Sequence, residues 1–276
     1  MNVSILILTL NEEINLMSCL ESVKWSDDIV VFDSFSTDRT LEIAKAMGAR
    51  VFQRKFDNYA AQRNAALKEV QYKYPWILMI DSDELVAPEL RIEIEMAINQ
   101  SDDDTCLFRV RRKDMFFGQW LKRSSGYPTW FGRLFRTGRV WVEREINEEY
   151  CTDGNIGFLQ EHLIHYPFNK GIAYWYERHN RYSSMEASVF VQETQEKLQI
   201  GDFFSQDPVI RRKLLKQLAF RLYGRPFLVF CYLYIIRLGF LDGKAGFMYS
   251  LLRSFYEVMI DLKVQEIRRR EKNLPI

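Results

Sequence analysis

Trp76-Ile77-Leu78-Met79-Ile80-Asp81-Ser82-Asp83-Glu84 is the stretch on which the fold turns. An apolar run stops abruptly at two carboxylates spaced i, i+2. A short, wholly apolar run suits a strand buried on both faces. Such strands belong to parallel sheets covered by helices. Ligands gather at the carboxyl ends of these sheets, where the strand order reverses. Two carboxylates at such an end can approach one hard divalent cation, since Mg²⁺ and Mn²⁺ take oxygen ligands. D-x-D alone is a weak signal, and its place directly after the apolar run sharpens it.

The flanking sequence repeats the pattern. Val3–Leu8, Ile29–Phe32 and Arg50–Gln53 read as strands. Helices are expected over Glu13–Val23, Thr37–Met47, Asn58–Val70 and Pro88–Asn99. Gly48 supplies a natural stop and Pro88 a natural first turn. Two more strand ends carry polar loops, Thr9-Leu10-Asn11-Glu12-Glu13 and Asp33-Ser34-Phe35-Ser36-Thr37-Asp38. Helix capping accounts for any one of them, but three at one sheet edge point to a binding edge. From Thr105 to about Phe168 the pattern changes to short strands and long loops. Tyr174–Gln199 then reads as a polar helix, with apolar helices from Ile210.

The chain has 276 residues, 47% hydrophobic and 27% charged, which excludes disordered and fibrous classes. Lys plus Arg is 38 and Asp plus Glu is 37, yet this balance hides a split. Residues 211–276 hold 14 basic and 5 acidic residues, a net of +9, which leaves −8 for the rest. Such asymmetry points to a surface of opposite charge. Apolar interleaving favours anionic lipid over nucleic acid. Pro226–Ile236 is an apolar run of 11 residues stopped by Arg237. About 20 are needed to span a bilayer, so an interfacial segment is expected. Arg211, Arg212, Lys213, Lys216, Arg221 and Arg225 precede the run, and Arg268-Arg269-Arg270 lie near the end. A packed helical bundle or a homodimer interface is the alternative. Cys19, Cys106, Cys151 and Cys231 are scattered, as reduced cytosolic thiols would be. Met1-Asn2-Val3-Ser4 lacks the basic start of a secretory signal.

Four segments together resemble the family 2 inverting glycosyltransferases of GT-A (Rossmann-like) fold. They are Ile5–Glu13, Asp28–Thr40, Gln62-Arg63-Asn64-Ala65-Ala66 and Ile80-Asp81-Ser82-Asp83-Glu84. Arg133-Leu134-Phe135-Arg136, Asn147-Glu148, Leu163-Ile164-His165-Tyr166, Asn180-Arg181-Tyr182-Ser183 and Gly239–Gly246 resemble bacterial glucosyltransferases of lipopolysaccharide inner-core assembly. Asn147 stands where that pattern has His, and Phe35 and Arg39 where glycines are commoner.

The resemblance implies an α/β GT-A domain over residues 1–210, with a nucleotide half (1–100) and an acceptor half (101–210). It would be followed by a helical, membrane-associating region (211–276). It implies a UDP-sugar donor and a lipid-linked or lipopolysaccharide-type acceptor, at the cytoplasmic face of the inner membrane. Thr9, Asn11, Glu12, Asp33, Arg63 and Asp81 would line the nucleotide pocket, with Asp33 accepting a hydrogen bond from uracil or ribose. Asp83, and His165 with it, would hold Mg²⁺ or Mn²⁺. The developing charge of a diphosphate leaving group needs such a cation. Inverting transfer needs one general base. Glu148 is the choice, with Glu145, Glu149 and Asp114 in reserve. A solvated acidic cluster is the plain alternative, as a structural role is for His165. Arg133 and Arg136, read as one side of a strand, suit a phosphate of donor or acceptor, or are ordinary surface charge.

Other classes fit less well. A HAD-like phosphohydrolase also places D-x-D after a strand, but Asp83-Glu84-Leu85 lacks the following Thr. A nicotinamide enzyme wants G-x-G-x-x-G after strand one, and that turn has no glycine. A non-catalytic membrane-associated protein that keeps the fold is the remaining rival.

Overall fold

The computed structural model describes residues 2–143, 149–195 and 224–276. Two compact units emerge. One comprises residues 1–115 and 127–169, the other 116–126 and 170–276. The boundary expected at residue 210 lies outside the described residues.

The first unit opens with β1 (Val3–Thr9), α1 (Leu16–Val23), β2 (Ile29–Asp33), α2 (Thr40–Ala46) and β3 (Arg50–Gln53). It continues with α3 (Tyr59–Glu69), β4 (Trp76–Asp81), β5 (Glu84–Val86) and α4 (Pro88–Gln100). β6 (Thr105–Phe116) follows; β7 (Gln119–Trp120) belongs to the second unit. β8 (Trp130–Arg136), β9 (Val140–Glu143), β10 (Glu149–Thr152) and β11 (Asn155–His165) complete the set. The main sheet runs β3-β2-β1-β4-β8-β6-β11-β5, with β9 and β10 as a separate antiparallel pair. β1 to β4 are mutually parallel, as the alternation predicts.

Period-two alternation sorts the side chains. Val3, Ile5, Ile7, Leu78 and Ile80 face Leu16, Leu20, Leu90 and Ile94 of α1 and α4. Leu6, Ile77, Met79, Leu107 and Phe135 face Ala65 and Ala66 of α3. Both faces are covered, which is why β1 and β4 are mainly apolar on both sides. Truncating fully buried Leu78 to Ala would cost about 2–5 kcal/mol.

Two expectations are corrected. The region after Thr105 is built on long strands, with 12 residues in β6 and 11 in β11. The consecutive charged residues Arg111 to Asp114 fall on both faces of β6 and hide the apolar period. Helix α1 starts at Leu16, not Glu13. Asn11 adopts a left-handed φ of 55°, and the backbone N–H groups of Asn11, Glu12 and Glu13 donate to Ser36, Thr40 and Asp38. These amides are engaged by the second loop and open no helix.

The second unit contains α5 (Gly171–Gln195) and α6 (Arg225–Cys231), which continues as a π-helical turn, Tyr232–Ile236. A 3₁₀ turn (Gly239–Asp242) leads into α7 (Gly243–Glu271). The Gly239–Gly246 segment is explained here. A Cβ on Gly239 would lie 2.5 Å from the Leu233 carbonyl oxygen, and one on Gly246 2.1 Å from that of Gly239. Buried Asp242 accepts from the Arg123 and Ser124 amides and the Ser124 hydroxyl. Among the described residues no single helix is long and apolar enough to cross a membrane. The pair Arg225–Ile236 and Gly239–Glu271, bent by 74°, passes by length and composition together.

Candidate active site

The ends of β1, β2 and β4 lie side by side, with Thr9 opposite Asp33 and Leu8 opposite Asp81. This brings the three polar loops to one edge. Thr9 Oγ1 donates to Asp33 Oδ1 at 2.9 Å, and Asn11 Oδ1 accepts from the Thr37 amide at 2.8 Å. Glu12 Oε2 accepts from Asn15 Nδ2 at 2.8 Å. Asp33 itself is fully buried. Its two oxygens take bonds from Thr9, from the Ser36 amide and hydroxyl, and from Gln53 Nε2. Its carboxylate therefore sets the two loops.

The motif at 62–66 divides its work among its residues. Gln62 Nε2 donates to Ser34 Oγ at 3.0 Å. Arg63 Nη2 donates to Asp81 Oδ1 at 3.0 Å. Asn64 exchanges two bonds with the backbone of Val142 on β9. Ala65 and Ala66 let α3 lie close against the sheet.

An alternating chain of charge runs on from Arg63. Arg133 Nη2 reaches Asp81 Oδ2 at 2.7 Å and Glu84 Oε1 at 2.8 Å. Arg112 lies 3.6 Å from Glu84 and 3.0 Å from Asp114. Asp114 Oδ1 meets His165 Nδ1 at 2.7 Å, and His165 Nε2 lies 3.3 Å from Asp83 Oδ2. Burial opposes the charged form of Asp81, but the guanidiniums of Arg133 and Arg63 outweigh it and hold the carboxyl far below its usual range. Burial likewise opposes an ionised Asp83, and His165 outweighs it, so this pKa too is lowered. At His165 burial disfavours the imidazolium, while Asp83 and Asp114 favour it and push the pKa up to about 9.

Asp83 and His165 thus face one another. Their 3.3 Å separation is that of adjacent ligands on one ion with bonds of about 2.1 Å. Asp114 behind the imidazole supplies the carboxylate that commonly orients a metal-bound histidine. The Asp83 carboxylate suits either Mg²⁺ or Mn²⁺, and the imidazole beside it favours Mn²⁺, the softer of the two. Among the described residues no group of three or more His, Cys, Asp or Glu side chains is placed to hold a metal. The protein would supply two ligands and leave the others to water or a ligand.

Other assignments are corrected. Arg133 and Arg136 do not share a side. A spacing of three in a strand points side chains to opposite faces. Arg133 is buried against Asp81, while Arg136 pairs with Trp76 at the far end of β4 and donates to the Thr105 and Asp102 carbonyls. Asp114 is a partner of His165 and Arg112. Glu149 lies on β10 opposite Glu143. Glu148, Glu145 and Asn147 lie outside the described residues. The sequence reading missed Glu84 and Arg112 as members of the network. Glu84 sits inside the D-x-D segment. Arg112 and Asp114 show the i, i+2 spacing of one strand face, and that was the available signal.

Residues 4–166, more than half of the chain, match the model of "Glycosyl transferase family 2". An uncharacterized glycosyltransferase of Rickettsia typhi is 27% identical over 99% of this chain and 89% of its own. The lipopolysaccharide core biosynthesis glycosyltransferase LpsC of Rhizobium meliloti is 30% identical over 56% of this chain and 58% of its own. A mannosyltransferase from Pyrobaculum calidifontis, solved with GDP-Man and Mn²⁺, covers 96% of this chain and 87% of its own, with a TM-score of 0.51 and 12% identity. The last shares the fold, a GT-A-like mixed α/β architecture with C-terminal helices. The chain belongs to glycosyl transferase family 2.

Proposed function

We propose that this protein is an inverting hexosyltransferase. It moves a hexose, glucose in the first instance, from a UDP-sugar to a lipid-linked or lipopolysaccharide-core saccharide. Mg²⁺ or Mn²⁺ is its cofactor. The observation that carries the reading is the meeting of Asp83 and His165 beside an Arg-clamped Asp81 at the carboxyl edge of the sheet. The likeness to a protein named for lipopolysaccharide core biosynthesis supports the acceptor class.

In this reading Thr9, Asn11, Glu12 and Arg63 line the nucleoside side, and Asp33 fixes the loops that carry them. Asp81, held ionised by two guanidiniums, accepts hydrogen bonds from the ribose. Asp83 and His165 would hold the cation, which when bound neutralises charge on the leaving diphosphate. Glu148 is the base that takes the acceptor hydroxyl proton. β9, the strand before it, is moored to α3 through Asn64.

The second unit is the membrane-docking part, placing the enzyme peripherally on the cytoplasmic face of the inner membrane. Phe227, Ile235, Ile236, Phe240 and Leu241 are 46–70% exposed there. So many exposed large apolar side chains in one segment mark a surface that meets another apolar phase. The test of the transfer reading is a panel of sugar nucleotides measured for binding and for metal-dependent turnover. UDP-hexoses should bind and release UDP. Absence of binding across the panel would leave a non-catalytic protein of the same fold.

A further inference from the structure

A second cluster stands at the same sheet edge, on β8, β6 and β11. Arg111 pairs in register with Trp130 on one side and His162 on the other. Register partners point to the same face. The Arg111 guanidinium lies 5.3 Å from the Trp130 ring centroid and 6.0 Å from that of Tyr127. The Tyr127 hydroxyl and His162 Nε2 are 2.7 Å apart. Exposed Phe158 meets Trp130 edge-on with centroids 5.1 Å apart. These are protein atoms of the first unit only.

Its place relative to Asp81 follows from the strand registers. Leu78, Leu134 and Phe108 form one lateral row across β4, β8 and β6. Asp81 and Arg111 each stand three residues past that row, on strands that run the same way. Both project on the face of Met79 and Leu107, since each is an even step from its neighbour. Two strand spacings separate them, roughly 10 Å.

Arg111 differs from the other arginines at this edge. Arg63, Arg112 and Arg133 all hold carboxylates. Among the described residues no carboxylate lies within ion-pair distance of Arg111, and its buried Nε has no hydrogen-bond partner. Arg109 and Lys113 share its face at period two. Burial and then the charges of Lys113 and Arg111 hold the His162 pKa down, as a positive local potential would. Glu161, 3.6 Å from His162 Nδ1, is the acid beside the cluster.

A half-buried arginine beside two aromatic rings, with no carboxylate paired to it among the described residues, fits an anionic oxygen group. The exposed ring of Phe158 can offer its face to the C–H side of a sugar. We propose that Arg111, Trp130, Tyr127, His162 and Phe158 form an acceptor subsite for an acidic saccharide, one whose sugar carries a carboxylate or a phosphate. The proposal rests on the sugar-transfer reading and adds the acceptor's chemistry to it.

The test is saturation-transfer NMR on the full chain with three matched disaccharides: a neutral one, its uronic acid form and its phosphate ester. At least one acidic form should bind about ten-fold more tightly than the neutral one, the worth of a charge-assisted hydrogen bond. The uronic acid and phosphate arms show which anion is preferred. Arg111→Gln should abolish the acidic advantage, and Arg111→Lys should keep part of it. Phe158→Ala, at an exposed position, should weaken all three sugars alike. Equal binding of neutral and acidic forms, or an undiminished advantage in folded Arg111→Gln, would overturn the proposal. So would unchanged binding of all three sugars in Phe158→Ala. This binding test needs no turnover, so failure of the sugar-transfer reading would show separately, as absence of UDP-sugar binding and hydrolysis.

Discussion

Asn64 grips the backbone of Val142 with both ends of its amide: Nδ2 donates to the carbonyl at 2.7 Å, and Oδ1 accepts the N–H at 2.8 Å. One helix, α3, therefore carries both Arg63, which clamps Asp81, and the mooring of the strand that leads to Glu148. Asn64→Ala leaves two half-buried backbone groups unsatisfied, at a cost of roughly 1–3 kcal/mol. With Glu148 as the proposed base, it should lower kcat more than it changes donor affinity, because β9 loses its tie to α3 and the nucleotide loops do not. Calorimetric donor binding beside steady-state kinetics checks this. Loss of donor binding with normal kcat would contradict it.

Arg133 and Arg136 lie three residues apart and should behave differently. Arg133→Ala leaves fully buried Glu84 and half-buried Asp81 without their main cation. Breaking a buried pair in this way costs about 3–5 kcal/mol. Arg136→Ala, at the far end of β4, should cost roughly 1 kcal/mol. Urea unfolding of the two variants compares them directly. Equal losses would contradict the placement.

His179 gives the second unit an acid-sensitive point. Burial, helped by Arg178 and Arg253, lowers its pKa to about 4, even though its Nδ1 bonds the Trp175 carbonyl at 2.8 Å. The folded form therefore binds fewer protons than the unfolded chain between about pH 4 and the unfolded value near 6.5. This contribution is complete above the unfolded pKa and is lost as the pH falls through the window. His179→Phe keeps the stacking on Trp175 and removes the titration. Its loss of Tm between neutral pH and pH 5 should be smaller than that of the unmodified protein. Equal acid slopes would count against the assignment.

The exposed apolar residues of the second unit should bind lipid. Vesicle binding is expected to be stronger with anionic lipid and only partly reversed by salt, since charge is screened and apolar insertion is not. Ile236→Asp with Leu241→Asp should weaken it at high salt above all. Full reversal by salt, or indifference to both charges, would contradict membrane docking.

The sheet edge was legible because apolar runs and polar stops fall in the same places. Val3–Thr9, Ile29–Asp33 and Trp76–Asp81 begin or end within a residue of their apolar runs. Asp83 with His165 was legible through resemblance. The network behind them was not, because Glu84, Arg112 and Asp114 meet only through the register of β11 with β5 and β6. A local window holds no record of that pairing. The irregular register at Phe108–Arg109, opposite Arg133, disguised which face each arginine takes. Phe35 was flagged by its residue type alone. It adopts a left-handed φ of 61°, a conformation natural to glycine, and is 54% exposed in the second loop.

The most direct measurement is proton NMR of the product formed from an α-linked UDP-hexose, with Mn²⁺ present and with chelator, for the unmodified enzyme and for Asp83→Ala. A β-linked product that disappears with chelator and in folded Asp83→Ala is the predicted result. An α-linked product, or undiminished transfer without metal or without Asp83, would contradict inverting transfer through a cation held at Asp83.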